Sequence, residues 1–80
     1  MIHADYQVLD WLREHCQHDR VLYNALNNHS NGPVARYDRA RNMWFITATS
    51  RGGKAYRIAV TLDPVTGDPH QFYRVGEEDA

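Results

Sequence analysis

Apolar side chains keep two different periods along this chain, helical before Pro33 and strand-like after it. Val8, Trp11, Leu12, Leu22, Ala25 and Leu26 fall on one face of a 3.6-residue period, with His15 and Asp19 where two further apolar residues fit. The spacing predicts helix over residues 3–29. One unbroken helix of that length outreaches the sheet that eighty residues can build, so the pattern favours two short helices or a bend near His18. Asp19 is placed to cap the second, whose first turn is Arg20-Val21-Leu22. Asn27-Asn28 weakens the helix, Asn31-Gly32 offers left-handed stop conformations, and Pro33 forbids continuation.

After Pro33 the runs are short, rich in β-branched and aromatic residues, and separated by turn residues. Val34 to Tyr37, Met43 to Thr49, Ala55 to Leu62 and His70 to Val75 read as four strands, the last an edge strand because Pro69 cannot donate to a ladder. Asp63-Pro64-Val65-Thr66-Gly67 is a turn in which Asp accepts backbone hydrogens, Pro presets its φ and Gly permits a positive one. Gly76 to Ala80 reads as an acidic, frayed tail. The fold class is α+β: one or two N-terminal helices packed on a four-stranded antiparallel β-meander, in a single domain spanning residues 1–80.

The central hairpin holds large side chains at both parities, so its register decides what is left outside the core. A two-residue Gly52-Gly53 loop pairs Arg51 with Lys54 and sets Met43, Phe45 and Thr47 opposite Leu62, Val60 and Ile58. A three-residue loop from Gly52 to Lys54 pairs Arg51 with Ala55 and sets Trp44, Ile46 and Ala48 opposite Leu62, Val60 and Ile58, turning Met43 and Phe45 outward. Repulsion between facing Arg51 and Lys54 favours the second. Either way an aromatic and an aliphatic side chain lie on the face away from the helices.

Composition is that of a folded module: 42% hydrophobic residues with nine aromatics in 80 residues. A domain this small has a thin core. The single cysteine, Cys16, forms no intramolecular disulfide, which favours a reducing, cytoplasmic setting, and the first twenty residues contain no apolar run long enough for a signal peptide or membrane span. Net charge is −1 but unevenly spread: residues 36–57 hold six basic residues against one acid, and the remainder three against nine. Such an asymmetry steers an anionic partner or satisfies itself within the fold.

Few residues offer chemistry. His15 and His18, at i, i+3, are the candidate metal ligands, but a closed site needs four, and the competing reading pairs Glu14 with His18 and His15 with Asp19 along the helix. Ser30 and Ser50 lie in no nucleophile elbow, and Cys16 and His15 point apart on a helix. The glycines join strands rather than opening a helix, so no phosphate cradle is present. No catalytic residue and no cofactor follow, and a non-enzymatic role is expected.

The stretch Ala55-Tyr56-Arg57-Ile58-Ala59-Val60-Thr61-Leu62-Asp63-Pro64-Val65-Thr66-Gly67-Asp68, within residues 34–75, resembles the hairpin-and-turn ending of PepSY-type domains. The resemblance implies cystatin-like α+β layering and a binding or inhibitory role, and it carries no site residues across. Those domains are commonly exported or membrane-attached, a setting for which this chain shows no segment. The expectation is a small protein-binding module, an inhibitor, adaptor or self-associating subunit of the kind mobile elements encode, docking on a protein partner or a second copy through its exposed sheet face. Trp44, Phe45, Arg51, Lys54, Tyr56 and Arg57 are the candidate contacts, because Trp, Tyr and Arg dominate interface energetics. Nucleic-acid binding is the alternative, because Arg36, Tyr37, Arg39, Arg41, Trp44, Arg51, Lys54, Tyr56 and Arg57 interleave cations with aromatics on the expected sheet, and metal binding through His15 and His18 is a second.

Overall fold

The computed structural model describes residues 4–28 and 32–78, the last three of these by backbone alone. It has two helices, α1 (Asp5–His15) and α2 (Arg20–Leu26), followed by β1 (Val34–Asp38), β2 (Met43–Thr49), β3 (Ala55–Leu62) and β4 (Pro69–Glu78). The strands form one antiparallel sheet in the order β1-β2-β3-β4. The expected α+β architecture is therefore present, with the helices broken where Asp19 predicts.

Local chemistry explains each helix boundary. The Gln7 side chain accepts from the Ala4 amide at 2.9 Å, satisfying one orphan donor at the start of α1. The Asp19 carboxylate accepts from the Leu22 amide at 3.2 Å and so caps α2. At the far end of α2 the Arg13 guanidinium reaches from α1 to the Leu26 carbonyl, with its Nε and Nη2 at 3.3 and 3.2 Å. This cation on the last carbonyls ties the two helices together. Helix α2 stops at Leu26, the last position of its apolar period and short of the expected limit at residue 29, because Asn27 donates back to the Tyr23 carbonyl and Asn28 donates to Thr49 at the end of β2, both at 2.8 Å. His3, His29 and Asn31, included in the expected helix and its stop, lie outside the described residues.

The core lies between the helices and one face of the sheet. Val8, Leu12 and Cys16 of the first helical segment and Leu22, Ala25 and Leu26 of the second meet Trp44, Ile46, Ala48, Tyr56, Ile58, Val60 and Leu62. Each fully buried aliphatic side chain there contributes roughly 1.5–3 kcal/mol relative to exposure, before ordering entropy is subtracted.

The β2–β3 hairpin adopts neither of the two expected pairings. Its loop is Arg51-Gly52-Gly53: the Ser50 amide donates to the Lys54 carbonyl at 2.8 Å and the Gly53 amide to the Ser50 carbonyl at 3.0 Å. Trp44 faces Val60, Ile46 faces Ile58 and Ala48 faces Tyr56. The loop has three residues and the facing set is that of the second alternative, but the pairing is offset by two positions. Gly53, at φ 90°, occupies the left-handed position that this turn and bulge require, and Ser50 Oγ accepts from the Lys54 amide at 3.1 Å. A Gly53→Ala variant is expected to lose about 1 kcal/mol, read as a lower urea midpoint at unchanged slope, because a Cβ is strained at that φ.

The second turn forms as its sequence dictates. Asp63 accepts from the Val65 and Thr66 amides at 2.7 and 3.0 Å, and Gly67 takes φ 77°. Those two amides hold the Asp63 carboxyl below its ordinary range. Strand β4 runs further than expected, to Glu78, so residues 76–78 pair with β3 rather than fraying. The paired backbone of Ala55 to Arg57 supplies the hydrogen-bond partners that a tail in solvent lacks. Residues 79–80 lie outside the described residues.

Candidate functional site

Strand alternation sorts the sheet into a face under the helices and a face with no element across it among the described residues. On the outer face the cross-strand rows are Val34–Thr47–Arg57, then Arg36–Phe45–Ala59–Tyr73, then Asp38–Met43–Thr61–Gln71. Ala59 is wholly buried although it points away from the helices, between Phe45 and Tyr73. Around it Val34, Tyr73 and Val75 remain 55%, 51% and 52% exposed. An apolar cluster is thus half built on this face and left open to solvent.

The open cluster has a seat and a charged rim. Thr47 is small between larger neighbours, and a shallow depression forms there, lined by Val34, Arg36, Phe45, Thr47, Arg57 and Val75. Arg41 places its guanidinium 5.9 Å from the centre of the Phe45 ring and pairs with Asp38 at 3.5 Å. Asp38 also accepts from the Ala40 and Arg41 amides, which commits its carboxylate to the β1–β2 turn. Arg36 is exposed and forms no ion pair among the described residues, and Arg57 is exposed on the neighbouring row.

Of the six expected contact residues, the structure places only Phe45 and Arg57 on this face. Trp44 and Tyr56 are 6% exposed and belong to the core beneath the helices. They are corrected from contact residues to packing residues, because their parity puts them opposite Val60 and Ala48 on the helix side. Trp44 packs on Tyr37 with ring centres 5.4 Å apart, and its indole Nε1 has no hydrogen-bond partner. Lys54 and Arg74 approach the Tyr56 ring at 5.6 and 5.5 Å. Arg51, in the turn, borders a separate depression between α2 and the hairpin tip, with Asn24, Asn27 and Ser50.

The residues not foreseen are Val34, Tyr73 and Val75, on the outer strands, while Arg36 was expected only within the nucleic-acid reading. Their signal was the same period-2 alternation that organises the hairpin. Its reading on β4 is obscured by two register shifts, which leave His70 and Val75 as extra residues against β3. With Pro69, these bulges also make β4 a poor template for edge pairing.

The histidine and cysteine candidates are engaged otherwise. His15 stacks on Trp11, ring centres 4.3 Å apart, and its Nδ1 lies 2.8 Å from the Trp11 carbonyl oxygen. His18 falls in the turn after α1, so the two do not share a helix face. The expected pairing of His15 with Asp19 is replaced: Asp19 caps α2 and pairs with Arg74 of β4. Among the described residues, no group of three or more His, Cys, Asp or Glu side chains is arranged to hold a metal ion. Cys16 is buried, and desolvation, with the nearby Asp19 carboxylate, pushes its thiol up from the ordinary value. No described helix is long and apolar enough to cross a membrane.

No protein-family model matches the sequence, nor does any curated protein or solved structure. The functional reading therefore rests on the geometry of the outer face.

Proposed function

We propose that the protein is a small non-enzymatic binding module, an inhibitor or adaptor, that docks on a protein partner through the outer face of its sheet. The observation that carries this reading is the open cluster of Val34, Phe45, Tyr73 and Val75, three of them about half exposed or more, beside exposed arginines. Clustered apolar and aromatic surface rimmed by polar groups marks interaction sites more often than scattered exposed residues do. The PepSY-type likeness of residues 34–75 and a cytoplasmic setting are consistent with it.

A Val34→Ser, Tyr73→Ser double variant tests the reading. Both side chains are half exposed, so the variant is expected to stay folded, with each substitution costing under about 1 kcal/mol. Affinity capture from the source cell with each form as bait, compared by mass spectrometry, is expected to show a stoichiometric partner with the native chain and none with the variant. Identical captured sets reject docking through this face. A nucleic-acid ligand is the second reading, favoured by the placement of Arg36, Arg41 and Arg57 beside Phe45 and Tyr73.

A further inference from the structure

We infer that β1 takes an extended, acidic segment of a protein partner as a fifth strand of the sheet. This rests on the protein-docking role proposed above and adds to it the partner's conformation, its charge and the edge that it uses.

Of the two edges of the sheet, β1 is the regular one. The strand order leaves β1 and β4 at the ends, and no further strand pairs with β1 among the described residues. β4 begins with Pro69 and is interrupted by two register shifts, whereas β1 contains no proline and pairs with β2 through all five of its residues without a shift. A straight, unshifted edge is a template for another strand.

The ladder decides which backbone groups that edge offers. The Ser50 amide bonds to the Lys54 carbonyl at 2.8 Å, so on β2 the N–H and C=O groups of Trp44, Ile46 and Ala48 turn toward β3 and those of Met43, Phe45 and Thr47 toward β1. Their partners Asp38, Arg36 and Val34 use their own backbone groups on β2, which leaves those of Ala35 and Tyr37 on the free edge. The Ala35 and Tyr37 side chains pack half-buried against the core, while Val34 and Arg36 are exposed on the outer face. A strand laid along this edge therefore meets apolar surface on its helix side, and Val34 with the Arg36 guanidinium on its outer side.

Charge selects the occupant. From Val34 to Asn42 the edge and its turn hold Arg36, Arg39 and Arg41 against Asp38 alone, and Asp38 is already held by the Ala40 and Arg41 amides and the Arg41 guanidinium. Arg36 and Arg39 are exposed and form no ion pair among the described residues. Carboxylates on an incoming strand form charge-assisted bonds with such groups and speed the encounter. The β1 of a second copy carries the same net positive charge as the edge it would meet, so this edge favours a partner of opposite sign.

The test is amide hydrogen exchange read by NMR on the full chain. One probe is an end-blocked peptide of about eight residues in which valine alternates with glutamate, long enough to span β1, and the other has lysine at every glutamate position. At saturation the acidic peptide is expected to slow exchange at Ala35 and Tyr37 about tenfold or more, with little change at Arg36, whose amide already bonds to β2. The lysine peptide is expected to bind about tenfold or more weakly, by a margin that shrinks as salt rises. Arg36→Gln with Arg39→Gln, at two exposed positions and with a folded free spectrum, is expected to bring the two affinities together. Equal slowing by both peptides on the native chain overturns the acidic occupant. Shifts at Thr47 and Tyr73 without slowing at Ala35 and Tyr37 overturn the fifth strand and leave docking through the outer face intact. Slowing that grows with protein concentration in the absence of peptide makes the occupant a second copy and overturns the partner strand. No response to the acidic peptide overturns the inference, while the docking role still stands or falls on the capture experiment above.

Discussion

Replacing Trp44 by alanine is expected to cost about 3–5 kcal/mol, against about 1 kcal/mol for the same change at its neighbour Phe45. The two aromatics are adjacent in sequence and on opposite faces of one strand. Trp44 is buried under the helices against Tyr37, whereas Phe45 lies on the partly open outer face. A domain of this length has a total stability of roughly 4–12 kcal/mol, so Trp44→Ala removes a large part of it or unfolds the chain. A third variant sharpens the contrast. Trp44→Phe keeps an aromatic in the site and removes the indole N–H that has no acceptor, so it is expected to change stability by less than about 1.5 kcal/mol. Urea unfolding followed by far-UV circular dichroism reads all three. A cost for Phe45→Ala equal to or above that for Trp44→Ala rejects the assignment of faces on which the docking role depends.

Acid is expected to loosen the molecule at Asp19, which joins the second helix to the last strand. Burial alone raises this carboxyl's pKa, but the Leu22 amide, the Arg74 guanidinium and the His18 charge together outweigh it and hold it below the ordinary value. The folded chain thus releases this proton more readily than the unfolded chain does. The associated stability is fully present above the unfolded pKa, near 3.8, and is lost as pH falls through the depressed folded value. Asp19→Ala removes both the cap and the pairing with Arg74, and is expected to cost about 1–2 kcal/mol at pH 7. Asp19→Asn retains a good cap and loses only the charge, so it is expected to cost less than about 1 kcal/mol. The gap between native protein and Asp19→Asn should be constant above the unfolded pKa, near 3.8, and narrow as pH falls through the depressed folded value. Thermal unfolding across pH 2–7 measures it, and a pH-independent gap rejects the charged role of Asp19.

Much of the local architecture was legible because it depends on contacts within a few residues. Asp19 before an apolar turn is a helix start, Asp63-Pro64 followed by Gly67 is a turn, and β2 and β3 begin and end where alternation begins and ends. The first two of these signals are side chains bonding or constraining nearby backbone, and the third is the two-residue period of a strand. The candidate site was half legible: the hairpin pointed to an uncovered face and supplied Phe45 and Arg57. The sequence did not show that Val34, Arg36, Tyr73 and Val75 complete it, since those residues come from strands separated from one another by about forty positions and joined only by pairing.

The chain's own pattern therefore determined the class of object: two helices, four strands, one sheet with apolar side chains on both of its faces. Tertiary structure alone decided which aromatic each face received. Two loop conformations differing by one residue exchange every side chain between faces, and their local energies are close. The choice went to the Arg51-Gly52-Gly53 turn, whose register places Trp44, Ile46, Ile58 and Val60 beneath Leu12, Leu22 and Leu26. Burial against the helices favours that arrangement, and the same register leaves Phe45 outside with the arginines.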